Sequence, residues 1–174
     1  MKNNILAILA FLMIASCTIQ SSQYNFIKNI ALNEENNRPE KNWTSRWLNK
    51  NTDLYAINIK DQIIFADEKI NIFFKDDQIY KVTGLLENDA IIEIEKSDNR
   101  LLYKINGIPI SSDYCSAQSM LDDNKGFLGY TQSCEAERQG VSYRNQILLD
   151  SNNLITSLIF KIHPNYPQLK LRKK

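Results

Sequence analysis

The feature that most constrains this chain is a two-residue periodicity that sets in after position 52. Tyr55, Ile57 and Ile59 alternate with Ala56, Asn58 and Lys60, and residues 62–66 are a short apolar run. Ile70, Ile72 and Phe74 alternate with Asn71, Phe73 and Lys75. Ile92 and Ile94 interleave with Glu93 and Glu95, and Leu101, Tyr103 and Ile105 repeat the pattern. Successive side chains of a strand point to opposite faces, so such rows suit half-buried antiparallel strands. Asp76-Asp77, residues 96–99 and residues 150–153 supply turn chemistry between the rows, and Gly107 with Pro109 ends one hairpin. Leu154, Thr156, Leu158, Phe160 and Ile162 form another one-sided row. A break at His163-Pro164-Asn165-Tyr166-Pro167 precedes a last short strand at Leu169 and Leu171. Eight to nine short strands predict a mainly β chain: an antiparallel sheet, sandwich or barrel with a short N-terminal helix.

That helix is expected over residues 24–32, where Phe26, Ile27, Ile30 and Ala31 share one face at helical spacing. Residues 42–48 are expected to form a further helical turn, because Trp43 and Trp47 lie four apart. The two tryptophans either pack the core or present an aromatic pair to carbohydrate or lipid. Residues 111–143 have weak periodicity and are rich in Ser, Gly, Asp, Gln and Tyr. They read as a long excursion with a short strand near 127–132. Long loops of this kind are uncommon and often functional.

Residues 1–17 resemble a bacterial lipoprotein signal. Lys2 gives a basic start, residues 5–16 are a nearly unbroken apolar run, and Ile14-Ala15-Ser16 leads into Cys17. The run is too short for a spanning helix, which needs about 20 apolar residues. The resemblance implies cleavage after residue 16, acylation of Cys17 with palmitate-type chains and attachment to the membrane through that lipid. Thr18 stands where Asp would mark inner-membrane retention, which favours the outer membrane with the protein facing the periplasm. Residues 17–23 would then be an acylated tether and 24–174 a single β-rich domain.

Removing the first sixteen of 174 residues leaves 158, enough for one domain with a real core. Lys2 leaves with the signal, so 21 basic residues become 20, equal to the 20 acidic ones. A neutral chain has no global field to attract nucleic acid, and no nucleic-acid partner is expected. With Cys17 lipidated, Cys115 and Cys134 remain as a pair that an oxidising compartment would join.

Catalytic chemistry finds little support. His163 is the only histidine, sits before a proline and reads as a turn residue. Glu135, Glu137 and Arg138 read as a solvated face. No metal site, cofactor or nucleophile–base pair is indicated, so the chain is expected not to be an enzyme. Lys161, Lys170, Arg172, Lys173 and Lys174 give the last fourteen residues five positive charges and no carboxylate side chain. This run is either a solvated tail or a contact for anionic lipid or acidic polysaccharide. Trp43, Trp47, Lys170, Arg172, Lys173 and Lys174 are the candidate binding residues.

Two stretches resemble the YjbF/GfcB family of capsule- and exopolysaccharide-associated lipoproteins. One is residues 70–85, with the hairpin at Asp76-Asp77-Gln78; the other is residues 143–150 with Asn153-Leu154-Ile155-Thr156-Ser157 after it. The proline-marked segment at 164–171 fits the same order, so the similarity spans most of 53–174. Asp77-Gln78 replaces the family's Gly-Arg, its tryptophan near Leu148 or Leu149 is missing, and the cysteines at 115 and 134 are additional. The resemblance implies a β-rich lipoprotein assisting surface polysaccharide production or export, with polysaccharide or an export-machinery protein as partner. The other reading of the residues is a lipid-binding or outer-membrane assembly lipoprotein, for which a deep apolar cavity would be the mark.

Overall fold

The computed structural model describes residues 40–123, 127–137 and 140–174. Cys17, the tether and the helix expected at 24–32 lie outside the described residues, as does Arg138. Thirteen strands follow in chain order: β1 Trp43–Trp47, β2 Lys50–Ile59, β3 Gln62–Ala66, β4 Asn71–Lys75, β5 Gln78–Thr83, β6 Ile92–Ser97 and β7 Arg100–Ile105. After these come β8 Ile108–Cys115, β9 Ser119–Asp123, β10 Phe127–Ala136, β11 Ser142–Leu149, β12 Ile155–Phe160 and β13 Leu169–Lys173. A single 3₁₀ turn, Glu87–Asp89, separates β5 from β6.

Every neighbouring pair is antiparallel. From β1 to β8 each strand pairs with the next, β8 and β10 are neighbours, and β10 also pairs with β11. The run β11–β12–β13 returns to β1, so twelve strands close a barrel. The thirteenth, β9, carries the line of β8 further along β10. Of the three architectures the sequence left open, the barrel is the one formed.

The closed ring buries an apolar interior. Leu54, Phe65, Ile72, Ile79, Val82, Leu101, Tyr103, Leu158, Ile162, Leu169 and Leu171 have no exposed surface. The outer rows are charged or mixed; Lys81, Glu93 and Lys104 stand side by side on β5, β6 and β7. The same row continues through Phe73, Ile64 and Ile57 on β4, β3 and β2, so the outer face is mixed and not uniformly polar. Hairpin turns fix the register. At Asp76-Asp77 both residues take positive φ, 49° and 57°, the geometry that matches the twist of a two-residue hairpin. Gly129 lets β10 approach β11 closely: a Cβ there would lie 2.1 Å from the Ile147 carbonyl oxygen.

Four expectations are corrected. The described residues form thirteen strands rather than eight or nine. Residues 43–47 form β1 and not a helical turn; a spacing of four is even, so it keeps Trp43, Ser45 and Trp47 on one face of a strand too. The 111–143 stretch is not a loose excursion but the end of β8, all of β9 and β10, and the start of β11. Its inward residues include Ser111, Asp113, Gln132 and, just beyond it, Asn145, so burial there leaves no apolar alternation to read. The hairpin after β7 turns at Asn106-Gly107, with φ of 50° and 78°, and Pro109 lies within β8. The last short strand expected at Leu169 and Leu171 is present as β13, held between β1 and β12.

Candidate functional site

Antiparallel order brings the end of β7, the start of β8, the end of β10 and the connection from β12 to β13 to one rim of the barrel. There they enclose a half-open cleft of about 460 Å³ lined by Ile105, Pro109, Ile110, Ser111, Ala136, His163, Pro164 and Asn165. One wall is pinned by a residue singled out from the sequence. Trp47 is 4 % exposed, and its indole N–H donates to the Pro167 carbonyl at 2.9 Å. Tyr166 packs edge-on against Trp47 at 5.4 Å and lies tilted against His163 at 4.5 Å. Trp43 is equally buried, 4.7 Å from Phe65. Both tryptophans therefore pack the interior, and neither presents an open face to a ligand.

Behind the cleft lies a polar cluster. Ser111, Asp113 and Cys115 alternate inward along β8, and Asp113 sits opposite Ala136. The Tyr143 hydroxyl donates to Asp113 Oδ2 at 2.7 Å. That proton is committed, so at 2.8 Å Tyr143 accepts from Tyr103. Burial raises both phenols well above their ordinary range. Asp113 Oδ1 is buried and has no partner. Burial lowers the Lys161 ammonium, while the Asp113 carboxylate draws it back up. Asn145 continues the cluster, accepting the Lys161 backbone N–H at 2.9 Å and reaching towards Gln132.

Ser111, His163 and Asp113 share this region but do not form a proton relay. His163 Nδ1 accepts the Asn165 N–H at 3.1 Å, which leaves the ring proton on Nε2. A Ser–His–Asp triad needs the opposite, an Nδ1–H donated to the carboxylate. The arrangement instead suits recognition: an imidazole N–H, a serine hydroxyl and apolar walls of proline and isoleucine. Among the described residues no three His, Cys, Asp or Glu side chains converge to hold a metal ion.

His163 carries a pH signature. Burial first, and Lys161 second, holds its folded pKa below the ordinary 6.5. The unfolded chain then binds the proton more readily. The stability gained by keeping the ring neutral is present above 6.5 and lost as pH falls through the folded value. Urea midpoints should fall as the pH drops below 6.5. The slope should shrink in His163→Gln; an undiminished slope in that variant would assign the acid sensitivity to other groups.

The remaining sequence candidates lie elsewhere. Cys115 and Cys134 are joined by a disulfide between directly opposite residues of β8 and β10. Glu135 and Glu137 are exposed, and Ser112 donates to Glu137 at 2.6 Å. Lys170 and Arg172 project outward from β13, and Lys173 and Lys174 are exposed at its end. Lys174 reaches Asp53 at 2.9 Å and holds that carboxyl below its usual range. The sequence reading missed Ser111, Asp113, Tyr143 and Lys161 as a group. The signal was the polar alternation Ser111, Asp113, Cys115, which an apolar search passes over.

No family model matches the chain, and no curated protein matches it. Among solved structures it is similar to the crystal structure of the hypothetical lipoprotein YmcC from Escherichia coli K12, at 8 % identity and a TM-score of 0.50. The match covers 75 % of this chain and 84 % of that one, and the two share a fold.

Proposed function

We propose that this chain is a lipid-anchored envelope protein, facing the periplasm from the outer membrane, that assists surface polysaccharide production or export without catalysing a reaction. The observation that carries the reading is the filled barrel. Large side chains such as Phe65, Phe160 and Tyr103 occupy the interior, and the cleft at the rim is lined by mixed polar and apolar groups. A carrier of acyl chains needs an apolar cavity, so the lipid-handling alternative has less behind it. The signal-like segment ending at Cys17, the resemblance over 53–174 and the shared fold with a hypothetical lipoprotein point the same way.

Deleting the gene and measuring surface polysaccharide tests this. Display should fall and be restored by the wild-type chain, while Cys17→Ser should move the protein from the membrane to the soluble fraction. Unchanged display after deletion would remove the polysaccharide role, and membrane retention of Cys17→Ser would remove the anchor.

A further inference from the structure

The barrel wall is electrostatically lopsided. Strands β11, β12, β13 and β1 lie side by side, and none of the four contains Asp or Glu. They carry Arg144, Lys170, Arg172, Lys173 and Arg46, all exposed. None of the five makes an ion pair among the described residues, where the salt bridges join Lys75, Arg100, Lys104 and Lys174 to carboxylates elsewhere. Arg46 and Lys170 sit directly opposite each other on β1 and β13, and Arg172 follows two residues along the same face. Like charges placed across a strand pair oppose folding, so Arg46 and Lys170 cost stability that no ion pair among the described residues offsets. Carboxylates appear only at the margins: Asp53 is taken by Lys174, and Asp150 accepts two backbone N–H groups in its turn.

We propose that this basic sector binds a linear acidic glycan, one bearing uronate or phosphate groups. The inference rests on the polysaccharide reading above and gives it a surface and a ligand class. Two observations favour a polymer over an anionic bilayer. Arg46 and Lys170 face each other across neighbouring strands about 4.8 Å apart, comparable with the advance of one sugar ring along a linear chain. The sector runs to the rim that holds the cleft, where Tyr166, 37 % exposed, offers an aromatic edge beside Trp47.

The test uses the full chain with Cys17→Ser, and polygalacturonate, neutral dextran and phosphatidylglycerol-containing vesicles as probes. Wild type should bind polygalacturonate, lose that binding as salt rises from about 50 to 200 mM, and ignore dextran. The triple variant Arg46→Gln/Lys170→Gln/Arg172→Gln should weaken binding by about tenfold or more, because three ion contacts are lost. Lys69→Gln/Lys96→Gln, which neutralises exposed lysines outside the sector, should bind like wild type. Circular dichroism of both variants checks that the barrel is intact. Equal polymer affinity in the triple variant, equal binding of dextran, absence of polymer binding, or binding to vesicles alone would each overturn the assignment. The gene-deletion experiment is independent: unchanged display with intact polymer binding would remove the cellular role and leave the glycan surface standing.

Discussion

Phe65→Ala should cost about 3–5 kcal/mol of stability, among the largest losses expected from any single side chain here. Phe65 has no exposed surface, and its ring meets Trp43 edge-on at 4.7 Å. Across the strands it stands between Ala56 on β2 and Ile72 on β4. The loss has two parts. Transfer of the ring to water accounts for one, and the void left behind for the other. The second part is large because the surrounding strands are hydrogen-bonded on both sides around a closed ring and have little freedom to collapse inward. Phe73→Ala, on the outward face of the adjoining β4, removes a similar ring without opening an interior void and should cost much less. Urea denaturation with an unchanged m-value measures both. A loss below about 1 kcal/mol at Phe65 would mean that the interior is loosely packed.

Removing the disulfide by Cys115→Ala/Cys134→Ala should cost on the order of 3 kcal/mol, from the freedom returned to the unfolded chain over a sequence separation of 19. The bond also sits at a weak seam. Strands β8 and β10 share only three residue pairs, Cys134 with Cys115, Glu135 with Tyr114 and Ala136 with Asp113. By contrast β10 and β11 share eight. Only the β5–β6 seam, with two pairs, is narrower, so loss of the staple should raise amide exchange in β8 and β9 more than in β2 and β3, whose seam has five. Matching exchange rates with and without reductant would show that the strand pairing alone holds the seam.

How much of this was legible in the sequence depended on what faces inward. The β4–β5 and β6–β7 hairpins could be read because their interior residues Ile72, Phe74, Ile92, Ile94, Leu101 and Tyr103 recur at every second position beside polar turns. The β8–β10 region could not, since Ser111, Asp113 and Gln132 are buried at places where an apolar side chain would have marked the strand. Closure was equally hidden. The pairings of β1 with β13 and of β10 with β11 are set by the whole ring rather than by local pattern, and β9 joins β10 only because β8 has already taken that line. For the candidate site, the proline break correctly set His163 in a turn, but a turn residue can also line a cleft. Its partner Ser111 comes from β8, fifty-two positions earlier, and nothing in the spacing announces that meeting.

The last strand along the chain, β13, lies between β1, the first, and β12. A ribosome therefore delivers the keystone after all the other staves. Until Leu169 and Leu171 arrive, β1 and β12 keep bare edges and the chain remains an unclosed ribbon. Such a ribbon exposes two unpaired strand edges, so the order of synthesis delays closure of the barrel until β13 has emerged.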